Sequence, residues 1–296
     1  MGRSEGRLRP ARLRLATPGL LGVPVGWLIV FFLAPIGIIG AYSFNVLALP
    51  PNPTGFTLSA WHDLIHGGVY LRLFWKSVEM SLIVSALVVL VAFPLAYYLA
   101  LSGTKRKYIL LLVLIAPFLT SYLLRVLAWK VILGDQGVIN TFLFWTGIRA
   151  PGQPISALLY SRFAVMLVLG YVWLPFVALP MFASLESLDT RLLEAASDLG
   201  ASRWQTFRRV TLPLSLPGVA AAFLFVFIPT VGEFITPSLV GGTSGYMYGN
   251  QIVDLFATGF PDWETGSVLA IFLLGVVTVL TAAFSRFLQG RQVAGT

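Results

Sequence analysis

The sequence predicts an all-α membrane protein with six transmembrane helices and both termini in the cytoplasm. Hydrophobic residues make up 57% of the 296 residues and charged residues only 11%, whereas soluble domains carry about 25% charged residues. Six stretches are long and apolar enough to cross the hydrocarbon core of a bilayer. They are Leu20–Phe44, Ser77–Leu101, Tyr108–Leu133, Phe163–Leu185, Leu214–Ile235 and Ser267–Leu288.

The distribution of Lys and Arg predicts the orientation. Most of the 20 basic residues lie in the N-terminal tail, in the connections between the second and third and between the fourth and fifth spans, and at the C-terminus. If both termini are cytoplasmic, all of these segments are cytoplasmic, as the positive-inside rule requires. The net charge of +8 is thereby explained by topology, and we expect no nucleic-acid partner. Leu20–Phe44 is longer than the apolar core of a cleaved signal peptide, so it is interpreted as a retained first helix.

The domain organisation is simple. Residues 1–19 form a basic cytoplasmic tail, residues 20–290 a six-helix membrane domain and residues 291–296 a C-terminal tail. Pro217 and Pro229 interrupt the fifth span, which neighbouring helices can accommodate. In the connections we expect Asp135 and Asn140 to order the loop after the third span, and a short helix around Asn250–Phe256. The absence of cysteine excludes disulfides and thiol-bound metals.

The loop between the fourth and fifth spans is unusually charged for so apolar a chain. Its first part predicts a helix, because Leu192, Ala195, Ala196 and Leu199 repeat at helical spacing. Asp189 or Thr190 is suited to cap its start, and Gly200 is suited to a left-handed C-terminal cap.

A second short helix is predicted directly after Gly200. Ser202 and Gln205 have the spacing of a capping box, with Trp204 and Phe207 expected to face inward and Leu212-Pro213 expected to end the helix. We name residues 189–213 the charged elbow. Its bent shape suits docking against a partner, whereas the alternative is a helix that lies on lipid.

The charged elbow carries a recognisable motif. Glu194, Ala195, Ala196, Gly200, Val210, Leu212 and Pro213 match the spacing EAA-x3-G-x9-[IV]-x-LP, which resembles the EAA loop of ABC-importer permeases. The resemblance implies that the first helix is a coupling helix seated on an ATP-hydrolysing subunit. The residues expected at this contact are Glu194, Ala195, Ala196, Asp198, Gly200, Leu212 and Pro213. Arg208 and Arg209 are expected to meet phospholipid headgroups or acidic patches of the ATPase.

Two further stretches are similar to spermidine/putrescine-type permeases: APFLTSYLLRVLAWKVILGDQGVIN (residues 116–140) and VGEFITPSLVGG (residues 231–242). The resemblance implies a permease subunit that moves a small cationic organic solute, such as a polyamine, across the inner membrane of a bacterium. It also implies two ATPase subunits, a second homologous permease subunit and an extracytoplasmic solute-binding protein. No P-loop motif occurs in this chain, so ATP and Mg²⁺ are expected on the partner subunits and no cofactor on this one.

Ionisable residues near the membrane are candidates for the solute path. A polyamine would use scattered carboxylates and aromatic faces, and the candidates are Glu233, Glu79, Asp135, Asp254, Trp129 and Tyr122, with Phe234 and Tyr171 near them in depth. Along straight spans, Arg125 and Glu233 lie at similar depth, so an ion pair between them is the structural alternative. The aromatic residues are equally suited to packing or to the lipid interface.

The sequence gives weaker support to three alternatives: a secondary transporter, an enzyme and a zinc site. Glu79 and Glu233 would be the proton relays of a proton-coupled secondary transporter, which needs paired broken helices. No nucleophile, His–carboxylate pair or metal cluster indicates an enzyme. His62 and His66, with Asp63 beside them, have the spacing of zinc ligands but no third ligand, so a solvated loop helix is the simpler interpretation.

Overall fold

The computed structural model describes residues 22–48, 55–103, 105–150, 152–257 and 261–293. Within these ranges the chain is helical and contains no β-strand. The helices are α1 (Gly22–Ser43), α2 (Ser59–His66), α3 (Val69–Leu101), α4 (Lys107–Leu119), α5 (Tyr122–Leu133), α6 (Val138–Trp145), α7 (Arg162–Glu186), α8 (Thr190–Asp198), α9 (Arg203–Val231), α10 (Tyr248–Ala257) and α11 (Trp263–Val293).

Helices α1, α3, α7, α9 and α11 are each long and apolar enough to cross a membrane, and the bent series α4–α6 supplies a sixth span if it is counted as one. The predicted all-α membrane class is therefore confirmed. The predicted N-terminal tail lies outside the described residues. Helix α11 continues to Val293, past the predicted domain boundary at residue 290.

The second span begins at Val69 and not at the predicted Ser77. The added turns carry Arg72 and Lys76, and these charges lower the hydropathy on which the prediction depended. Phe74 on these turns and Ser77 directly after them are buried, so one face of the segment packs like the rest of the helix while the other carries the charges.

The prediction of a straight third span was wrong. The chain bends by 85° between Lys107–Leu119 and Tyr122–Trp145. Pro117 lacks a backbone donor, the helix tightens there into a 3₁₀ turn, and Thr120 and Ser121 then adopt extended backbone angles. Nine α-helical and four 3₁₀ residues precede this kink. They are about 20 Å long, shorter than the hydrocarbon core of about 30 Å.

The fifth span also differs from its prediction of Leu214–Ile235. Helix α9 runs without a break from Arg203 to Val231, so Leu212-Pro213 does not end a separate short helix. A π-helical turn at Phe207–Thr211 ends two residues before Pro213, where it accommodates the proline that would otherwise interrupt the backbone hydrogen bonds. Because α9 ends at Val231, Glu233 lies beyond the span.

The centre of the bundle consists of α3, α7 and α9. Helix α3 turns its small residues inward, and Ser81, Ser85, Ala92 and Ala96 are buried. Small residues let helices approach closely in a membrane. Helices α1 and α11 pack against each other, and Ser43 is the one residue of α1 that is buried.

A second core surrounds α10, which confirms the predicted short helix near Asn250–Phe256. The Tyr248 amide donates to Ser77 Oγ at 2.7 Å, and its hydroxyl donates to the Leu269 carbonyl at 3.2 Å. The Asn250 side-chain amide donates to the Phe234 carbonyl at 2.9 Å and to Ser238 Oγ at 2.7 Å. These bonds fix α10 against the segment that follows α9.

Gly249→Ala is expected to loosen this contact. A Cβ at Gly249 would contact the Gly232 carbonyl oxygen and lie 2.6 Å from that of Glu233. Overpacking of this kind costs about 1–3 kcal/mol, so the variant is expected to lose monodisperse protein at a lower temperature in detergent. Gly275→Ala is the matched control, since no atom lies within 4 Å of the position that its Cβ would occupy. Equal melting of both variants would contradict the prediction.

Candidate functional site

Helix α8, the first part of the charged elbow, is capped at both ends. The Asp189 carboxylate accepts the Arg191 amide at 3.0 Å. At the other end Gly200 has a φ of +79°, as predicted. Its amide donates to the Ser197 carbonyl at 2.9 Å, and the Ala201 amide donates to the Ala196 carbonyl at 3.0 Å. This is a Schellman motif, and it sets the angle of the elbow.

The second part of the elbow begins with the predicted capping box. The Gln205 amide donates to Ser202 Oγ at 3.3 Å, and the Ser202 amide donates to Gln205 Oε1 at 2.8 Å. Phe207 packs against Phe93 and Tyr97 of α3, with ring centroids 5.9 and 5.6 Å away. The prediction that Trp204 faces inward was wrong: 67% of its surface is exposed.

The predicted apolar stripe of α8 faces mostly away from the bundle. Leu192 is 48% and Leu199 89% exposed, and Glu194, Ala195 and Asp198 are exposed with them. We name these five residues with Gly200 the EAA surface. Exposed apolar residues rimmed by charge are typical of a protein contact.

The remaining predicted coupling residues lie apart from the EAA surface or face inward. Ala196 is half-buried against the bundle. Leu212 and Pro213 belong to α9, where Leu212 is half-buried and Pro213 exposed. Arg208 and Arg209 are exposed on the π-helical turn.

At the opposite end of the bundle, Glu233 is a backbone cap. Its Oε1 accepts the amides of Ile235 at 2.9 Å and Thr236 at 3.3 Å. The Tyr122 and Thr236 hydroxyls lie 2.6 Å apart, so this segment is also tied to the start of α5. Two of the predicted path residues, Glu233 and Tyr122, are thereby brought to one place.

The predicted ion pair between Arg125 and Glu233 is not formed among the described residues. The kink redirects α5, and the Arg125 guanidinium lies over the Phe118 ring at 4.8 Å and the Tyr122 ring at 6.0 Å. Arg125 is only 8% exposed, and its Nε has no hydrogen-bond partner. Cation–π contacts therefore hold this buried charge.

The kink also creates an aromatic cluster that no pattern in the sequence indicated. Phe118 meets Phe176 of α7 with ring centroids 4.1 Å apart. Trp173 contacts both Phe176, at 5.4 Å, and Phe225 of α9, at 6.3 Å. Aromatic residues are frequent throughout this chain, so spacing alone could not single out these four.

The other predicted path residues lie elsewhere. Glu79 lines a cleft of about 840 Å³ that also exposes Arg72, Lys76 and Arg162, so the cleft is predominantly basic. Tyr246 lines it as well and donates to Asp254 at 2.6 Å. Burial first, and then this hydrogen bond, raise the pKa of the Tyr246 hydroxyl, which keeps it a donor.

Asp135 and Trp129 lie neither beside Glu233 and Tyr122 nor in the basic cleft at Glu79. Asp135 is exposed, whereas Trp129 packs edge-on against Tyr171 at 5.4 Å. Asn140 orders its loop as predicted: it donates to the Gly134 carbonyl at 3.0 Å and accepts the Ile155 amide at 2.8 Å.

The two histidines of α2 show no metal-binding arrangement. Their rings stack at 4.2 Å, and the His62 carbonyl lies 3.2 Å from His66 Nδ1. Among the residues that the structure describes, no group of three potential metal ligands occurs.

Comparison with known proteins gives a consistent result. The family model described as "Binding-protein-dependent transport system inner membrane component" matches residues 13–293. The spermidine/putrescine transport system permease protein PotB of Haemophilus influenzae is 36% identical over 88% of this chain and 90% of its own length. PotB of Escherichia coli is 35% identical over 88% of this chain and 94% of its own length.

The fold agrees with a solved structure. A bacterial ABC transporter involved in the import of the acidic polysaccharide alginate matches with a TM-score of 0.67 and 20% identity, over 94% of this chain and 96% of that chain. At this identity the match shows the fold alone. The family model and the relatives together show that this chain belongs to the inner membrane components of binding-protein-dependent transport systems, which are multi-pass proteins of the inner membrane.

Proposed function

We propose that this chain is the permease subunit of an ABC importer that carries a small cationic organic solute, of the spermidine and putrescine class, and is driven by separate ATPase subunits. The observation that carries the proposal is the EAA surface, which is exposed outside the bundle. Helix α8, which bears most of this surface, is capped at both ends. Both termini and this surface are cytoplasmic, because the elbow holds Arg191, Arg203, Arg208 and Arg209 on the side where positive loops remain.

In the proposed mechanism the EAA surface transmits movement. ATP binding on the partner subunits brings them together and shifts α8. The Schellman motif at Gly200 connects α8 to α9, and α9 is continuous through the membrane. A displacement of α8 therefore shifts the equilibrium of the bundle between inward-facing and outward-facing states. Glu194 and Asp198 are charged groups positioned for the ATPase, and Ala195 and Gly200 permit close approach.

The substrate class is supported by the relatives and by chemistry near the kink. Both relatives are named for spermidine and putrescine transport. Glu233 supplies a carboxylate, and Trp173 and Phe225 of the aromatic cluster supply ring faces that Arg125 does not cover; both kinds of group attract ammonium groups. The basic cleft beside Glu79 repels cations, so the proposed path runs past Glu233 and not past Glu79.

The proposed assembly contains two ATPase subunits, a second homologous permease subunit and an extracytoplasmic solute-binding protein. A second permease subunit and lipid would share the apolar exposed faces of α1 and α4. ATP and Mg²⁺ would bind on the ATPase subunits. Domain boundaries at residues 19 and 290 remain part of this proposal.

A proton-coupled secondary transporter is the alternative function. It would need a pair of broken helices, and the described residues contain one broken span. Glu233 also uses a carboxylate oxygen to cap two backbone amides, which gives it a structural role that a proton relay does not require.

Purification of the tagged chain tests the proposal. We expect an ATPase subunit to copurify, and we expect uptake of spermidine or putrescine into proteoliposomes to stop when internal ATP is removed. Uptake that continues without ATP, with no copurified ATPase, would establish the alternative. Replacing the solute-binding protein by one for an anionic solute is the control for specificity.

A further inference from the structure

A cavity of about 410 Å³ lies behind the charged elbow, between the elbow and the ends of α3 and α9. Small-molecule sites usually have volumes of about 300–1,000 Å³. Its polar lining includes Tyr97, Ser102, Ser197, Arg203, Thr206 and Thr211. These side chains come from both sides of Gly200, so a ligand here would contact α8 and α9 together.

The lining has the chemistry of an anion site. Among the described residues that form it, Arg203 is the one cation and none is acidic. Six lining side chains carry hydroxyl groups. Arg203 forms no ion pair with a described residue, so its planar set of five donors is available.

Thr206 supplies a second, independent observation. Its Oγ1 is buried and has no hydrogen-bond partner. A buried hydroxyl without a partner costs about 1–3 kcal/mol. An apolar ligand would leave this cost in place, and a cation would be repelled by Arg203. A ligand with several acceptor oxygens would satisfy both groups.

We propose that this cavity binds a phosphate group, carried either by the headgroup of an anionic phospholipid or by a soluble phosphate compound. A phosphate has acceptor oxygens in several directions and accepts bidentate hydrogen bonds from a guanidinium. Bound to Arg203 and Thr206 of α9 and packed beside Ser197 of α8, it would fill the space between the two helices and hold α8 at a fixed angle to α9. The effect on transport rests on the proposed function, whereas binding of the phosphate does not.

Binding is tested on the intact purified complex. One arm measures phosphatidylglycerol retained by the complex in native mass spectrometry, and the other measures binding of radiolabelled inorganic phosphate in nanodiscs of phosphatidylcholine. Arg203→Gln is expected to weaken binding about tenfold or more, as loss of a charged hydrogen bond implies. Thr206→Val, which keeps the shape, is expected to weaken it less.

Arg191→Gln is the matched control, because Arg191 is exposed on the same elbow but does not line the cavity. Loss of phosphatidylglycerol alone in Arg203→Gln identifies the lipid as source, and loss of inorganic phosphate alone identifies a soluble compound. If neither probe binds, or if both arginine variants weaken binding equally, the proposal is wrong.

The effect on transport is measured separately, as solute imported per ATP hydrolysed with and without the phosphate source that binds. We expect the ratio to rise when the source is present in the wild type and to be unchanged in Arg203→Gln. A complex that binds phosphate but has no ATPase would contradict the proposed function and leave the phosphate site established.

Discussion

Gly200→Leu is expected to uncouple ATP hydrolysis from transport or to weaken assembly with the ATPase. Gly200 has a φ of +79°, and a side chain in the left-handed region costs about 1–2 kcal/mol. No atom lies within 4 Å of a Cβ placed there, so this variant strains the backbone without a clash inside the chain. Relief of the strain would change the elbow angle and displace the EAA surface.

The measurement is solute imported per ATP hydrolysed, together with the amount of ATPase that copurifies. A strain of that size corresponds to a factor of roughly 5–30 in an equilibrium, so we expect a reduction of that order in one of the two quantities. Gly200→Asn is the control, because asparagine tolerates the left-handed region. If Gly200→Leu imports solute with normal coupling, the elbow angle is not what transmits the movement.

Glu233→Gln is expected to raise the KM for solute uptake about tenfold or more. The expected size is that of losing a hydrogen bond to a charged group, about 1.5–3 kcal/mol. The amide retains one acceptor oxygen for the Ile235 and Thr236 amides, which Glu233 Oε1 accepts in the native protein. The substitution therefore removes the charge while it preserves the cap.

This design separates the two roles of Glu233. If the carboxylate attracts solute, Glu233→Gln and Glu233→Ala both raise the KM, and assembly with the ATPase is unchanged in the glutamine variant. If capping is its only role, the glutamine variant behaves as wild type and only the alanine variant fails. Asp135→Asn removes a charge from an exposed residue away from the kink and is expected to leave the KM unchanged.

The sequence could predict the elbow in detail because its features are local. Asp189 caps a residue two positions away, Ser202 and Gln205 cap each other, and Gly200 adopts the backbone angle that its lack of a Cβ permits. Hydropathy likewise predicted the membrane class, since it depends on contiguous residues. Trp204 was misassigned because helical spacing does not reveal which side the bundle occupies.

The candidate solute path was less predictable from the sequence, because its geometry depends on the 85° bend between α4 and α5. Pro117 was visible, but Pro94, Pro175 and Pro217 lie inside unbroken helices, so proline alone does not predict a kink. Without the kink, Arg125 was placed opposite Glu233. With it, Arg125 lies over Phe118 and Tyr122.

The sequence by itself determined the membrane class, the approximate spans and the caps of the charged elbow, because each depends on residues within a few positions of one another. The tertiary structure alone decided the rest. The bond between Tyr122 and Thr236 joins residues 114 positions apart, and the basic cleft and the cavity at Arg203 each combine side chains from separate helices. Such sites arise from packing between distant segments, which no local pattern specifies.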